Sequence, residues 1–302
     1  MRTMSSFIGL LAASTLAATA HARIYEQHVA ADPKGEVDVS NVAGSIEITA
    51  WDQPEVAVRA DIDADWQHVE VSSSKGFVSV RVTGHPTSWF WGGYPWTTGA
   101  ARLQVWVPRG SEIDVSAVSA QVISKGVLGV ERLHSVSGDI TADVSGADTE
   151  VNTVSGEVRL QGNGQPGHLE VRTVSGDVRL ASAAGDLEAT TISGSLSAAL
   201  APAGTVRVHT TSGSFTLTGR FARSATLEAG TISGDMNVRA GAEAGYVYEV
   251  RTFSGDVDDC FGREATPVSL HGPGKVLTGT LGSGGANLRI RTLSGSVSLC
   301  DH

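Results

Sequence analysis

Positive charge is scarce in this chain of 302 residues. Lysine and arginine number 22 against 32 aspartates and glutamates, which gives a net charge of −10. Nucleic acids and anionic membrane surfaces attract proteins through basic patches. The acidic balance therefore argues against either of them as the main partner.

Long apolar runs are missing after residue 22, so the sequence predicts no transmembrane span. Residues 1–22 carry Arg2, an apolar run from Phe7 to Leu16, and the small-x-small sequence Ala20-His21-Ala22. This pattern is typical of a secretory signal peptide that is cleaved before Arg23. No cysteine stands directly after the cleavage site, which argues against a lipid anchor. We expect an exported protein, either periplasmic or secreted to the cell surface.

Recognisable catalytic motifs are also missing. The sequence has no Gly-x-Ser-x-Gly elbow and no phosphate-cradling glycine loop between a strand and a helix. The eight histidines after residue 22 show no paired metal-ligand spacing; they are His28, His68, His85, His134, His168, His209, His271 and His302. We expect no cofactor, no metal and no catalytic residue.

What the chain does contain is a short phrase, Thr-apolar-Ser-Gly, which returns many times. Its glycines, with looser copies included, stand at positions 138, 156, 176, 194, 213, 234, 255 and 295, so the steps are 18, 20, 18, 19, 21, 21 and 40 residues. Such a period is typical of a solenoid, in which each repeat buries its apolar face against its neighbours.

Each repeat predicts two short strands and two corners. Apolar residues stand seven and five positions before the glycine and two and four after it, as in Leu169, Val171, Val178 and Leu180. This is the period of two that a strand requires, without the spacing of a helix. We also expect the apolar residue two positions before the glycine, such as Val174, to point inward. Inward residues at the fifth and the second position before the glycine are an odd number of residues apart, so the strand would have to bend between them. The predicted fold is all-β, a single-stranded parallel β-helix with about 18–21 residues per coil, and we expect it to be right-handed.

The repeats divide the chain. We expect irregular N-terminal repeats because Gly44 and Ala120, in two degenerate copies, are 76 residues apart, close to four periods. The sequence predicts a signal peptide (1–22), a lead-in (23–34), irregular coils (35–120) with an aromatic loop (85–100), regular coils (121–260), and an excursion followed by the final C-terminal coil (261–302).

The two cysteines occupy the same repeat position, five residues after Gly255 and Gly295. If the 40-residue step is two stacked coils, they lie about 9.6 Å apart and cannot bridge. If it is one coil with an excursion, they are neighbours. Because an exported protein meets an oxidising environment, we predict a disulfide between Cys260 and Cys300 that holds the C-terminal coil.

An aromatic cluster is the most distinctive departure from the repeat: Trp89, Phe90, Trp91, Tyr94 and Trp96. In one interpretation the rings fold down and plug the solenoid. In the other they stay exposed as a stacking platform for sugar or as an apolar patch for a protein, so these five residues are the candidate binding site.

Two charged columns admit a structural and a functional interpretation. Asp139, Glu157, Asp177, Asp235 and Asp256 follow a glycine directly and could line a Ca²⁺ or acid–base site. Serine takes the same position in other copies, which favours turn capping. Outward arginines would form a solvated face or a strip for acidic polysaccharide: Arg159, Arg172, Arg179, Arg207, Arg239, Arg251, Arg289 and Arg291.

The repeated Thr-Val-Ser-Gly-Asp phrase, the opening Asn41-Val42-Ala43-Gly44-Ser45 and the strand from Leu103 to Pro108 together resemble the bacterial putative-adhesin family of SGD-repeat β-solenoids, a domain of unknown function. The resemblance covers Gly35 to Cys300. It implies a single-stranded β-helix, no established catalytic residues and an envelope location.

Three functional hypotheses follow. The leading one is an exported, non-enzymatic adhesin-like or scaffold module whose aromatic loop and flat faces contact carbohydrate or an envelope protein. The first alternative is a polysaccharide lyase or hydrolase on the same scaffold, which requires acidic residues and an Arg or Lys converging in a groove. The second alternative is a purely structural spacer.

Overall fold

The computed structural model describes residues 23–62, 67–84, 99–242, 245–269 and 273–301. These residues form strands, turns and bends and contain no helix, so the predicted all-β class is confirmed. It follows that they include no helical segment suited to crossing a membrane. All strands belong to one hydrogen-bonded sheet, and the architecture is β-solenoid-like.

The strands range in length from two residues in β19 to 19 residues in β15. In chain order they are β1 (Arg23–Ala30), β2 (Glu36–Trp51), β3 (Glu55–Ile62), β4 (Gln67–Ser74), β5 (Phe77–Gly84), β6 (Ala101–Pro108), β7 (Glu112–Lys125), β8 (Glu131–Ser135), β9 (Ile140–Val144), β10 (Thr149–Thr153), β11 (Val158–Gly162), β12 (Pro166–Thr173), β13 (Val178–Ser193), β14 (Leu196–Ser212), β15 (Phe215–Ser233), β16 (Met236–Ala242), β17 (Gly245–Ser254), β18 (Val257–Asp259), β19 (Thr266–Pro267), β20 (Lys275–Gly282), β21 (Ala286–Ser294) and β22 (Val297–Cys300).

Equivalent residues of successive repeats lie directly opposite one another. Strand β10 pairs in parallel with β12, so that Thr153 faces Thr173. After the glycine, β11 pairs in parallel with β13, and Val158 faces Val178. We call one copy of the phrase with its two flanking strands a level. Stacked levels turn each repeat position into a column of side chains about 4.8 Å apart.

The core is built from the columns that alternate with period two. Leu169, Val171 and Thr173 are all buried, and Val178 and Leu180 are buried after the glycine. The expected inward position of Val174 is wrong, because this side chain is 42% exposed. The threonine three residues before the glycine continues the strand's alternation, so the apolar residue after it must face outward. The bend lies at Ser-Gly, later than the sequence pattern suggested.

Glycine at this bend is required by close packing of the levels. Gly234 has φ +145°, and a Cβ there would lie 2.1 Å from the carbonyl oxygen of Gly213. Residues with a Cβ avoid this backbone region, and that contact distance leaves no room for one. At Gly234 the bend therefore requires glycine.

The N-terminal end departs from the expected four periods. Strand β2 pairs directly with β7, and Gly44 lies opposite Ala120, so the intervening 76 residues add no stacked levels between these two. On its other side β2 pairs in parallel with β5 and β6. Antiparallel strands then finish the stack: β3 on β6, β1 on β3, and β4 on β5. The chain moves outward first and later returns to fill the gap beside β2.

The C-terminal end uses the same insertion. Strand β21 lies between β15 and β17, with Thr292 opposite both Thr231 and Thr252. The last repeat in the sequence is therefore not the last level of the stack. The prediction of a final C-terminal coil is corrected here: the level of Gly255 lies outermost and is covered by the antiparallel strand β20.

Cys260 and Cys300 form a disulfide, with Cα atoms 5.0 Å apart. This is the pairing that their shared repeat position predicted. It joins the outermost level, through β18, to the inserted level, through β22, which pair in parallel from Val257 and Val297. The covalent bond therefore holds the inserted segment in place.

We expect the paired substitution Cys260→Ser with Cys300→Ser to lower the free energy of unfolding by about 2–4 kcal/mol, because the bridge closes a loop of 40 residues in the unfolded chain. Urea denaturation followed by circular dichroism measures the change. Wild-type protein treated with reductant should match the variant, and equal stability of oxidised and substituted protein would contradict the prediction.

Candidate binding surfaces

A polar pocket of about 430 Å³ lies at the N-terminal end, where β6 begins. Its walls include Asp61, Arg102 and Gln121, with Ser45 and the backbone of Ala101. Asp61 Oδ2 lies 3.8 Å from Arg102 Nη1, while Asp61 Oδ1 is buried and has no hydrogen-bond partner. The pocket thus offers a carboxylate, a guanidinium and an amide at one place, a set that can bind hydroxyl groups.

Two buried amides hold the backbone beside this pocket. Asn41 Nδ2 donates to the carbonyl oxygen of Ala101 at 2.9 Å, and Gln67 Nε2 donates to that of Gly99 at 2.7 Å. Asn41 occupies the inward column that threonine fills in the regular levels. These bonds fix the start of β6, which is the point where the chain returns from residues 85–98.

The five predicted site residues, Trp89, Phe90, Trp91, Tyr94 and Trp96, lie outside the described residues, as do residues 1–22. The aromatic segment joins β5 to β6, and both of these strands pair with β2. The polar pocket therefore stands at the C-terminal attachment of the segment that the sequence singled out.

A second aromatic surface near this end escaped the sequence analysis. The rings of Trp51 and Trp106 are partly exposed, and their centroids lie 6.4 Å apart. Trp51 Nε1 donates to the carbonyl oxygen of Glu55 at 2.8 Å. Beside Trp51, Arg109 Nε donates to Asp52 Oδ1 at 2.6 Å and lowers the pKa of that carboxyl. Only the pairing of β2 with β6 brings these two tryptophans together, and chain order gives no sign of it.

An apolar column follows the whole stack on the surface. It consists of the residue after each inward threonine position, and exposures in its valines, isoleucines, leucine and phenylalanine run from 42% at Val174 to 54% at Phe253. In stacking order the column contains Val42, Val118, Val136, Val154, Val174, Ile192, Thr211, Ile232, Leu293 and Phe253. A groove of about 580 Å³ runs beside Val136, Val154, Val174 and Ile192.

The acidic residues after the glycines serve the turns. Asp139 Oδ1 accepts a hydrogen bond from the backbone N–H of Glu157, and Asp177 Oδ1 accepts one from Ser195 N–H, at 2.8 and 2.9 Å. Asp235 does the same for Ser296 N–H. These bonds join adjacent levels and support turn capping over a cation site. No cluster of three or more potential metal ligands occurs among the residues that the structure describes.

The outward arginines belong to an ionic face. Arg159 and Arg179 both pair with Glu157, and Arg172 pairs with Glu170 and Glu150. Such exposed pairs each contribute little to stability.

Glu131 is a buried acid that the sequence analysis missed. Its side chain occupies an inward column between Ile113 and Thr149, and the residue is 1% exposed. Ser124 Oγ donates to Glu131 Oε2 at 2.8 Å, whereas Oε1 is buried without a partner. Burial raises the pKa of this carboxyl to about 8, with Asp143 adding a smaller upward shift. The core therefore holds a neutral glutamic acid at pH 7.

We expect Glu131→Gln to remove a pH dependence of folding. Because the pKa of Glu131 is raised in the folded state, the contribution of this residue to the free energy of unfolding is complete below about pH 4.5. This contribution, up to about 5 kcal/mol in total, is lost as the pH rises through about 8. Urea midpoints between pH 5 and pH 9.5 should fall steeply for the wild type and less for the variant. Parallel curves for the two proteins would contradict the raised pKa.

Comparison with known proteins gives one family and a set of similar structures. The family model described as Toastrack DUF4097 matches residues 35–259. No curated protein matches the chain. Solved structures that resemble it include a putative lipid binding protein from Parabacteroides distasonis, at 11% identity and TM-score 0.48, which covers 91% of this chain and 96% of that one. Putative adhesins from Parabacteroides merdae (9%, TM-score 0.41) and Bacteroides fragilis (10%, 0.38) each cover 92% of this chain, and 96% and 97% of their own.

Proposed function

The chain belongs to the Toastrack DUF4097 family, and we propose that it is an exported, non-enzymatic adhesin-like module that binds carbohydrate or an envelope protein at its N-terminal end. Residues 1–22 would act as the signal peptide. The regular levels would form a rigid, right-handed parallel solenoid that carries this end.

The polar pocket at the start of β6 carries the proposal. It places Asp61, Arg102 and Gln121 beside the attachment of the aromatic segment. Sugar-binding sites combine hydroxyl-binding polar groups with aromatic rings that stack on the apolar face of the sugar, and Trp89, Trp91 and Trp96 would supply those rings. An envelope protein would use the same rings as anchors in an interface.

We expect a glycan array and a pull-down from envelope extract to yield a partner that Arg102→Ala weakens at least tenfold and that the combined Trp89→Ala, Trp91→Ala and Trp96→Ala variant loses. Phe253→Ala is the matched control, because Phe253 is an exposed aromatic residue of the outermost C-terminal level. Binding of that control should equal wild type.

Two outcomes would contradict the proposal. One is the absence of any partner in both assays. The other is a partner whose binding depends on Phe253 and not on Arg102. Incubation with acidic polysaccharides followed by a reducing-end assay tests the enzymatic alternative, and we expect no new reducing ends.

A further inference from the structure

The apolar column lies between two columns of opposite charge. Four residues before each glycine, the outward position holds His134, Arg172, His209, Arg291 and Arg251, and otherwise Ser40, Ser116, Asn152, Thr190 and Gly230. We call this the basic column; it contains no carboxylate. Directly after each glycine stands the acidic column, with Asp139, Glu157, Asp177, Asp235 and Asp256, and otherwise Ser45, Gln121, Ser195, Ser214 and Ser296. It contains no cation.

We propose that this strip is the interface of a homodimer, in which the apolar column of each copy lies in the groove of its partner and the two stacks run parallel. The occupant we infer is a second copy of the chain because three features of the strip match a copy of itself: its spacing, its charge order and its area.

Spacing is the first argument. The column repeats at about 4.8 Å over ten levels, because every level is hydrogen-bonded in register to the next. Val154 N–H donates to the carbonyl of Ser135 at 3.2 Å, and Val174 N–H to that of Thr153 at 3.2 Å. A second copy has the same period, so its side chains can interdigitate at every level, as paired β-sheets do in dry interfaces. The groove beside Val136 to Ile192 is open to receive such a column.

Charge order is the second argument, and it selects the parallel arrangement. A two-fold axis parallel to the stack places the basic column of one copy over the acidic column of the other. Arg172 would then face the partner copy's equivalent of Asp177, and Arg251 that of Asp256, since each pair belongs to one level. An axis across the stack would instead set basic column against basic column, a juxtaposition of like charges.

Existing ion pairs do not prevent this exchange. Arg172 pairs with Glu170 and Glu150, Arg251 with Glu249, and Asp256 with Lys275, and in each pair the side chain of the cation is exposed. Exposed pairs hold their partners weakly, so an arginine can contact a further carboxylate across the interface.

Area is the third argument. Ten levels give a strip roughly 43 Å long, and three columns make it roughly 15–20 Å wide, which amounts to roughly 650–850 Å² per copy. A standard stable interface buries about 800 Å² per partner.

Sedimentation velocity of the full chain from 1 to 100 µM tests the proposal. We expect a species of twice the chain mass that dissociates on dilution. Val174→Lys, in the middle of the column, should weaken the dimer at least tenfold. Val174→Thr is the matched control, because threonine occupies the same column at Thr211, and it should change dimerisation less than threefold.

Charge exchange and cross-linking test the parallel arrangement. Arg172→Asp should weaken the dimer, and adding Asp177→Arg should restore it. Under oxidation, Val136→Cys alone and Ile232→Cys alone should each link to their own copies. Cross-links that form only in a mixture of those two variants would show antiparallel stacks and overturn the arrangement.

A monomer at every concentration would overturn the proposal, as would a dimer that Val174→Lys leaves intact. Circular dichroism and urea midpoints establish that each variant is folded, which we expect because the substituted side chains are exposed.

Discussion

Backbone hydrogen bonds between equivalent residues of neighbouring levels are the interaction on which the rest of this molecule depends. Val158 N–H donates to Asp177 O, Val178 N–H to Ser195 O, and Leu196 N–H to Ser214 O, each at 2.9–3.0 Å. Because these bonds keep the levels in register, a residue type that recurs in the sequence becomes a continuous column in space. The dry core, the turn-capping carboxylates and the exposed apolar column all follow from that register.

The sequence predicts the regular levels well because their determinants are local. Alternation around each phrase identifies Leu169, Val171, Val178 and Leu180 as core residues, and the structure buries all four. The outward position of Val174 was not predicted, because an apolar residue is expected to point inward unless the adjacent residue in the strand already points inward. The buried threonine beside it does so.

Both ends of the stack were harder to predict, since they depend on contacts between distant segments. Spacing alone suggested four coils between Gly44 and Ala120, whereas β2 pairs directly with β7. At the other end β21 fills a gap between β15 and β17. The cysteines showed correctly that two levels are neighbours, but not which level lies outside. The polar pocket at β6 and the Trp51–Trp106 contact were beyond reach for the same reason, because insertion of β6 beside β2 creates both.

The two ends of the stack differ in structure from its middle. Regular levels can repeat because each offers its neighbour the same surface, while antiparallel strands close the stack and produce the irregular features that can recognise a partner. Glu131 is the exception within the regular part: its carboxyl is buried near the N-terminal boundary of those levels and ties their stability to pH.

Cysteine trapping on the outer column tests the order of levels most directly. Ile232 and Leu293 belong to hydrogen-bonded neighbours, so their Cα atoms should be about 5 Å apart, whereas Ile232 and Phe253 are separated by the inserted level. We expect the pair Ile232→Cys with Leu293→Cys to form an intramolecular disulfide on mild oxidation, and the pair Ile232→Cys with Phe253→Cys to form no intramolecular disulfide. The reverse result would mean that the levels stack in sequence order and would contradict the inserted C-terminal repeat.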